Sequence, residues 1–464
     1  MTTPSIVWFR QDLRLADQPA LAAAAHDGPV VGVYVLDDDA PGAWKIGGAQ
    51  RWWLHHSLTA LAADLKKQGV PLILRRGDAV AEIAKLAKEV GAETVHAVHH
   101  YEPWWKTAED ALGKALTLKL HGGMLLDDPD SIRTGSGGRY RMFTAFWKAL
   151  RERMPPPEPI AAPRNLSGPS GKIASDDLAD WKLLPTTPDW SPGFADWKPG
   201  EAGAHAALKA FVPKVGAYDI ARNLPSEEGT SRLSPHLHHG EVSPAAVWHA
   251  VAKGKGDTEP YLREVGWRDF TSNVIDILPG YADANGRNAY DAMPWREGKD
   301  ADADFKAWTE GRTGYPLVDA GMRQLWTHGW MHNRVRMVAA SFMIKHLLLD
   351  WRRGEAWYWD CLIDADYGNN SVNWQWVAGT GIDSNPFGRI MAPLTQSPKF
   401  EAADYIRTWV PELAGLSDGA IHDPEEAGCR PDDYPEKIIG HREARERALQ
   451  AVKKVTARDP GAPD

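Results

Sequence analysis

Apolar and polar positions along the first 130 residues follow two periods in turn. Residues 5–9 (Ser-Ile-Val-Trp-Phe), 30–36 (Val-Val-Gly-Val-Tyr-Val-Leu), 71–75 (Pro-Leu-Ile-Leu-Arg) and 94–99 (Thr-Val-His-Ala-Val-His) are short apolar runs rich in β-branched residues. Such runs predict buried strands. Between them, 49–68, 79–90 and 107–121 carry the three-to-four-residue spacing of amphipathic helices. Strands alternating with helices predict a parallel sheet covered on both faces, so 1–130 reads as a doubly wound α/β domain. Ligands of such sheets sit at the carboxyl ends of the strands.

The pattern then changes. Residues 155–199 hold ten prolines and little periodicity. With its flanks, 131–200 reads as an extended linker running along the surface. Beyond 201 strand patterning disappears, and helical spacing runs through 205–212, 244–252, 259–278, 316–328, 332–349 and 355–363. An all-α domain over 201–464 is expected, ending in one charged helix and a frayed tail at 441–464. At 464 residues, two domains suit the length.

Composition changes this picture at three points. There are 22 Trp against 10 Phe, more indole than surface adhesion calls for. Buried, stacking or electron-carrying indoles account for it better. Net charge is −9, which argues against a nucleic-acid partner, yet residues 312–353 hold seven Lys/Arg against two Asp/Glu. A local basic face matters more than the total for a partner that docks in one place. The two cysteines, Cys361 and Cys429, cannot complete a four-thiolate cluster and suggest no disulfide scaffold. With no leader-like N-terminus and no membrane-length apolar run, a cytoplasmic protein without membrane contact, and a monomer, is expected.

The chemistry concentrates in 330–389. Asn333 and Arg336 lie three apart and share a helix face, with Arg334 and Met337 on the next. Asp364 and Asp366 stand two apart before a Gly-Asn turn. They suit a divalent metal, but no His or Cys completes the site, so hydrogen bonding to a ligand or pairing with Arg336 is preferred. Earlier, Thr230-Ser231-Arg232-Leu233-Ser234-Pro235 reads either as an ordinary helix N-cap or as a phosphate-binding helix start. Tyr218 upstream and Glu264, Trp267 and Arg268 downstream keep the second reading open. His236, His238 and His239 point to different helix faces, so a capping or surface role is expected rather than chelation. The tryptophans at 351, 357, 359, 374 and 376 are individually core candidates. Together, beside arginines, they suggest stacking or electron relay.

These motifs, with Val7-Trp8-Phe9-Arg10-Gln11-Asp12-Leu13-Arg14 at the N-terminus, Glu228 to Ser234, Gly314 to Ala320, Trp330 to Met337 and Asn370 to Trp376, resemble the photolyase/cryptochrome family. The resemblance covers nearly the whole chain. It implies an α/β antenna domain, a long linker and an α-helical FAD domain.

It also implies roles. Tyr218, Thr230, Ser231, Arg232, Leu233 and Ser234 would hold FAD, with Trp267, Asn333, Arg336, Asp364 and Asp366 also at the cofactor. Asn370 matches the residue that faces flavin N5, where asparagine favours the reduced flavin. Trp374, Trp351 and Trp295 match an electron relay. Arg222, Glu264, Trp267, Arg268, Asn333, Arg334, Met337, Trp376 and Arg389 match lesion or DNA contacts, with Glu264 catalytic as well.

The implied activity is light-driven repair of cyclobutane pyrimidine dimers in damaged DNA, a carbon–carbon lyase reaction. Relatives that repair (6-4) photoproducts carry histidines where this chain has Asn333 and Met337. Plant-type cryptochromes usually carry aspartate at Asn370, which weighs against the alternative, a blue-light-sensing cryptochrome without repair activity. The iron–sulfur branch needs four cysteines. Asp383 to Met391 resembles bacterial class I or class III enzymes. An antenna chromophore is expected, methenyltetrahydrofolate before deazaflavin, with Trp44, Lys45, Arg51, Trp104 and Trp105 as wall residues. Extrusion of the dimer from the duplex is the general behaviour of photolyases.

Overall fold

The computed structural model describes residues 3–384 and 386–456. The chain folds as two compact units, each discontinuous in sequence. One comprises Met1–Gly216, Ser231–Pro279 and Ile363–Gly368, and the other Ala217–Thr230, Gly280–Leu362 and Asn369–Asp464.

The first unit is built on a five-stranded parallel sheet of order β3-β2-β1-β4-β5, with β1 at Ser5–Phe9, β2 at Val30–Leu36, β3 at Leu72–Arg76, β4 at Thr94–Val98 and β5 at Thr117–His121. Alternation along β1 sends Ile6 and Trp8 to one face and Val7 and Phe9 to the other. Each face has its own core: Val7 and Phe9 pack with Leu21, Leu58 and Leu65, and Ile6 and Trp8 with Val33, Ile83 and Leu86. The covering helices, Pro19–Asp27, Gly48–Lys67, Ala79–Val90 and Pro103–Ala115, fill the crossovers. Prolines at the first turn help set two of them, since proline lacks only an N–H that is unpaired there anyway. Strand order reverses between β1 and β4, which puts the sheet's switch point beyond their carboxyl ends, at Arg10 and at His99-His100.

Residues 107–121, expected as one helix, divide into the end of the Pro103–Ala115 helix and edge strand β5. Polar Thr117, Lys119 and His121 blur the strand signal, as is common on edges. The proline-rich segment is more than a surface linker. Its flank within 131–200 contains a helix at Phe143–Arg151, and the segment itself places Leu166, Trp181 and Leu183 in the core beside β2 and β3.

The same unit carries the Glu259–Ile277 helix. Gly266 lets it lie against the Phe143–Arg151 helix, since a Cβ there would overlap the Trp147 ring. In the second unit the expected 332–349 helix is interrupted. Asn333–Ser341 is α-helical, Phe342–His346 forms a π-helical turn, and the next helix starts at Trp351 and ends at Cys361. The uninterrupted apolar run Phe342-Met343-Ile344 gives no local sign of the break. Helices Pro316–His328, Tyr367–Ala378, Pro393–Lys399 and His441–Thr456 complete the part that concerns the site. The tail beyond 456 lies outside the described residues. No helix among the described residues is long and apolar enough to cross a membrane.

Candidate functional site

In the first unit, the loop before the Ser234–His238 helix has an unusual backbone. Arg232 adopts φ +52°, a left-handed conformation that costs a non-glycine residue free energy. The N-cap position is Leu233, with no side-chain cap hydrogen bond, so the ordinary-cap reading is overturned. The Ser231 hydroxyl instead accepts from Leu233 N at 3.2 Å and from the Tyr261 hydroxyl at 3.0 Å. Leu233 is buried, Ser234 is exposed, and the Arg232 guanidinium stands 5.8 Å from the Trp197 ring centre.

On the Glu259–Ile277 helix, Tyr261, Glu264 and Arg268 recur at helical spacing. Arg268 donates to Leu237 O at 3.1 Å and Met124 O at 3.4 Å, so one hydrogen of each terminal nitrogen goes to backbone. Trp267 is half-buried, packed edge-on to Phe143 at 4.6 Å and tilted against Phe270 at 5.3 Å. Glu264 is half-buried. Asp364 is buried, and Asp366 lies 3.7 Å from His238 Nδ1.

The three histidines are not at the surface. His236 pairs with Glu241 at 2.5 Å, His238 with Gln50 at 3.1 Å, and His239 donates to Ile363 O at 3.2 Å while stacking on Trp53. All three are buried. Spacing gives the direction of each ring but says nothing about its depth. Among the described residues no group of three His, Cys, Asp or Glu side chains converges on a metal-sized site.

Beyond the carboxyl ends of β1 and β4, Trp44 and Trp104 both meet Tyr367 edge-on, at 5.6 and 5.1 Å. His100 is fully buried with neither ring nitrogen hydrogen-bonded, and burial together with the Arg10 charge holds its pKa well below the usual histidine range. Burial, and Asp366 nearby, push Glu102 up to about 7. Trp105 and Arg51 are otherwise engaged. Trp105 packs on Trp8 at 5.8 Å, and Arg51 pairs with Asp38 at 2.5 Å. Lys45 is exposed.

In the second unit, Asn370 is nine-tenths buried and its amide donates to Glu355 O at 3.1 Å. The Glu355 side chain is fully buried and neither carboxyl oxygen is hydrogen-bonded. Burial, then Asp283, raise its pKa well above the carboxylate range, which favours the protonated acid. An orphaned acid of this kind fits a polar ligand packed nearby.

Trp374 is buried against Tyr358, ring centres 4.9 Å apart, and Trp308, 6.4 Å apart. Trp351 is fully buried and donates to Asn285 Oδ1 at 3.0 Å, with Arg352 over its ring at 4.6 Å. Trp295, expected as the third relay member, is half-buried beside Phe387 at 6.3 Å. Trp308 is the indole packed on Trp374, and sequence reasoning passed over it. Its helical spacing in 299–309 looks like ordinary core.

Tyr218 is buried with the Arg222 guanidinium 5.2 Å from its ring centre. Asn333 is exposed, and Arg336 donates to Met331 O at 2.7 Å. Trp376 is half-buried. Arg334 bonds Asn223, approaches Met337 Sδ at 3.9 Å and lies over Phe400 at 4.6 Å. It lines a groove of about 450 Å³ that also takes in Asp219, Ile220, Arg389, Gln396 and Lys399. Three cations face one carboxylate there, a balance suited to a polyanion. Asn223, Gln396 and Lys399 carried no signal of their own in the sequence. Of the remaining expected residues, Thr230 is half-buried in the second unit.

Residues 5–164 match the family described as DNA photolyase, and residues 261–454 the one described as the FAD binding domain of DNA photolyase. A deoxyribodipyrimidine photo-lyase of Agrobacterium fabrum is 47% identical, covering 98% of this chain and 99% of its own. A bacterial class III photolyase structure from Agrobacterium tumefaciens superposes with TM-score 0.93 at 45% identity, covering 98% of both chains. An archaeal photolyase from Sulfolobus tokodaii, described with two FAD molecules and a novel light-harvesting cofactor, superposes with TM-score 0.83 at 27% identity, covering 97% of this chain and 100% of its own. A doubly wound sheet, a helical partner region, and similarity running from end to end leave one assignment: the chain belongs to the photolyase/cryptochrome family.

Proposed function

We propose that the protein is a light-driven DNA repair lyase that opens cyclobutane pyrimidine dimers, of the class III type. The observation that carries this reading is the 47% identity to a deoxyribodipyrimidine photo-lyase over 98% of the chain. The cation-lined groove supports it. FAD, when bound, supplies the electron that splits the dimer.

The chain's own residues do the rest. Tyr218, Thr230 and the loop Ser231 to Ser234 bind FAD, with Arg232 as the phosphate cation. Asn370 meets the reduced flavin ring, and the unbonded Glu355 carboxyl lies on the residue whose backbone Asn370 bonds. Asp364, Asp366, Asn333 and Arg336 complete the cofactor's polar shell. Trp374 with Trp308, Trp351 or Trp295 carries electrons inward from the surface. Trp267 and Trp376 offer aromatic walls to the dimer, and Glu264 and Met337 contact it. Arg222, Arg334 and Arg389 hold flanking phosphates, contacts that position a strand without reading its sequence. Arg268 draws the least support as a DNA contact, because its donors already serve Leu237 and Met124.

We place the antenna chromophore against Trp44, Trp104 and Tyr367, with methenyltetrahydrofolate as the preferred pigment. The unbonded His100 and neutral-prone Glu102 are groups a pterin's donors and acceptors could satisfy. The α/β region 1–130 thus carries the antenna, and 201–464 carries FAD and DNA.

The test is dimer repair assayed in light and in darkness, with an absorption spectrum of the purified protein. Repair under light alone is expected. Equal affinity for damaged and intact DNA without repair would favour the cryptochrome reading instead.

A further inference from the structure

The groove's exposed cation Arg389 sits on an irregular segment, and irregular backbone does not aim a side chain without anchors. Two anchors come from the last residue of the Asn333–Ser341 helix and from the turn that follows it. The Lys345 ammonium donates to Arg389 O at 2.8 Å. Two residues on, Met391 N donates to Ser341 Oγ at 3.1 Å. Phe387, in the same segment and itself buried, has its ring centre 5.6 Å from the ammonium.

Lys345 is 1% exposed. Burying an ammonium is costly, and lysine is among the residues least often found there without a paired acid. Burial, with the Arg389 guanidinium adding to it, brings its pKa down to about 7. A methionine would fill the same space at no electrostatic cost. The lysine is therefore poorly explained by packing and well explained by the carbonyl it holds. Its turn is π-helical, with Leu347 N reaching Phe342 O at 3.0 Å. Such turns are rare and occur frequently at functional sites.

We propose that Lys345 is a positioning residue for DNA, clamping the Phe387–Met391 segment so that Arg389 faces the groove's phosphate path. The clamp rests on the DNA-repair reading. It acts through Arg389 and touches no substrate.

The test is a double-mutant cycle on the flavin-loaded full chain, with an undamaged duplex as probe across a salt series. Lys345→Met is expected to weaken binding about tenfold and to lower the log–log salt slope by about one, as for one lost phosphate contact. In an Arg389→Ala background the same change is expected to add nothing. Ser341→Ala, which removes the second anchor, is expected to weaken binding in the same direction by a smaller factor. It serves as the test should Lys345→Met fail to fold. Full additivity with Arg389→Ala, or unchanged binding in both anchor variants, overturns the clamp while leaving the repair reading intact. A wild-type protein without DNA affinity overturns the repair reading and the clamp with it.

Discussion

Trp374 lies directly on the backbone at Gly354, so close that a methyl group added at that glycine would overlap its ring. The Trp351–Cys361 helix thus gives up a side chain to seat the indole, whose other neighbours are Tyr358 and Trp308. Helix glycine costs about 1 kcal/mol against alanine, so its use here indicates that the indole's place matters more than helix stability.

Gly354→Ala should therefore destabilise rather than stabilise, by roughly 1–3 kcal/mol from overpacking. It should also slow light-driven reduction of the bound flavin, because the indole proposed as the relay's first member is displaced. Trp374→Phe keeps the packing but removes the readily oxidised ring, so it should abolish photoreduction while repair by chemically reduced enzyme survives. Thermal unfolding and absorbance under illumination read both effects. Wild-type photoreduction in Trp374→Phe would route the electrons elsewhere.

Arg232 separates backbone strain from ligand binding. Glycine accepts φ +52° freely, so Arg232→Gly should relieve about 1 kcal/mol of strain in the flavin-free protein. Both Arg232→Gly and Arg232→Ala should purify with much less flavin, because the proposed phosphate cation is gone. Full flavin occupancy in either variant would remove Arg232 from the phosphate site.

Asp269 makes stability depend on pH. It is fully buried, its Oδ1 accepts from Leu126 N at 2.8 Å and Asp127 N at 3.1 Å, and its Oδ2 is not hydrogen-bonded. Burial raises its pKa to about 7. The folded state then holds a proton that the unfolded chain releases near pH 4. The stabilisation is complete below that value and is lost as pH rises toward 7. The loss is at most ~4 kcal/mol, at 1.36 kcal/mol per unit. Asp269→Asn keeps the Oδ1 acceptor and cannot ionise, so its melting temperature should vary less between pH 4 and 7 than the wild type's. Parallel profiles would place the titration on another group.

Trp376 is half-buried, as a wall residue needs to be. Base–aromatic stacking is worth about 1–3 kcal/mol per base, so Trp376→Ala should weaken binding to a dimer-containing strand by roughly ten- to a hundredfold. Flavin content and photoreduction should persist. A joint fall in thermal stability and flavin content, with unchanged discrimination of damaged DNA, would make Trp376 a core residue.

Periodicity was sufficient for elements whose stabilisation is local or face-wide. The strands at Ser5–Phe9 and Val30–Leu36 and the helices at Ala79–Val90 and Pro316–His328 stand where their apolar spacing put them, because one buried face repeats along each. The family, too, was legible, since its motifs are contiguous runs such as Trp330 to Met337. Other features depend on residues far apart in the chain. Among the described residues β5 pairs only with β4, and its polar edge residues conceal it. His238 and His239 are buried where Gln50 and Ile363 meet them, and spacing reports the direction of a side chain, not its depth. Trp308 joins Trp374 across 66 residues, and Lys345 reaches Arg389 across 44. Both pairings arise from packing among helices, where a buried indole and a buried ammonium gain their meaning from the group placed opposite. No window of sequence short enough to show a period contains both partners.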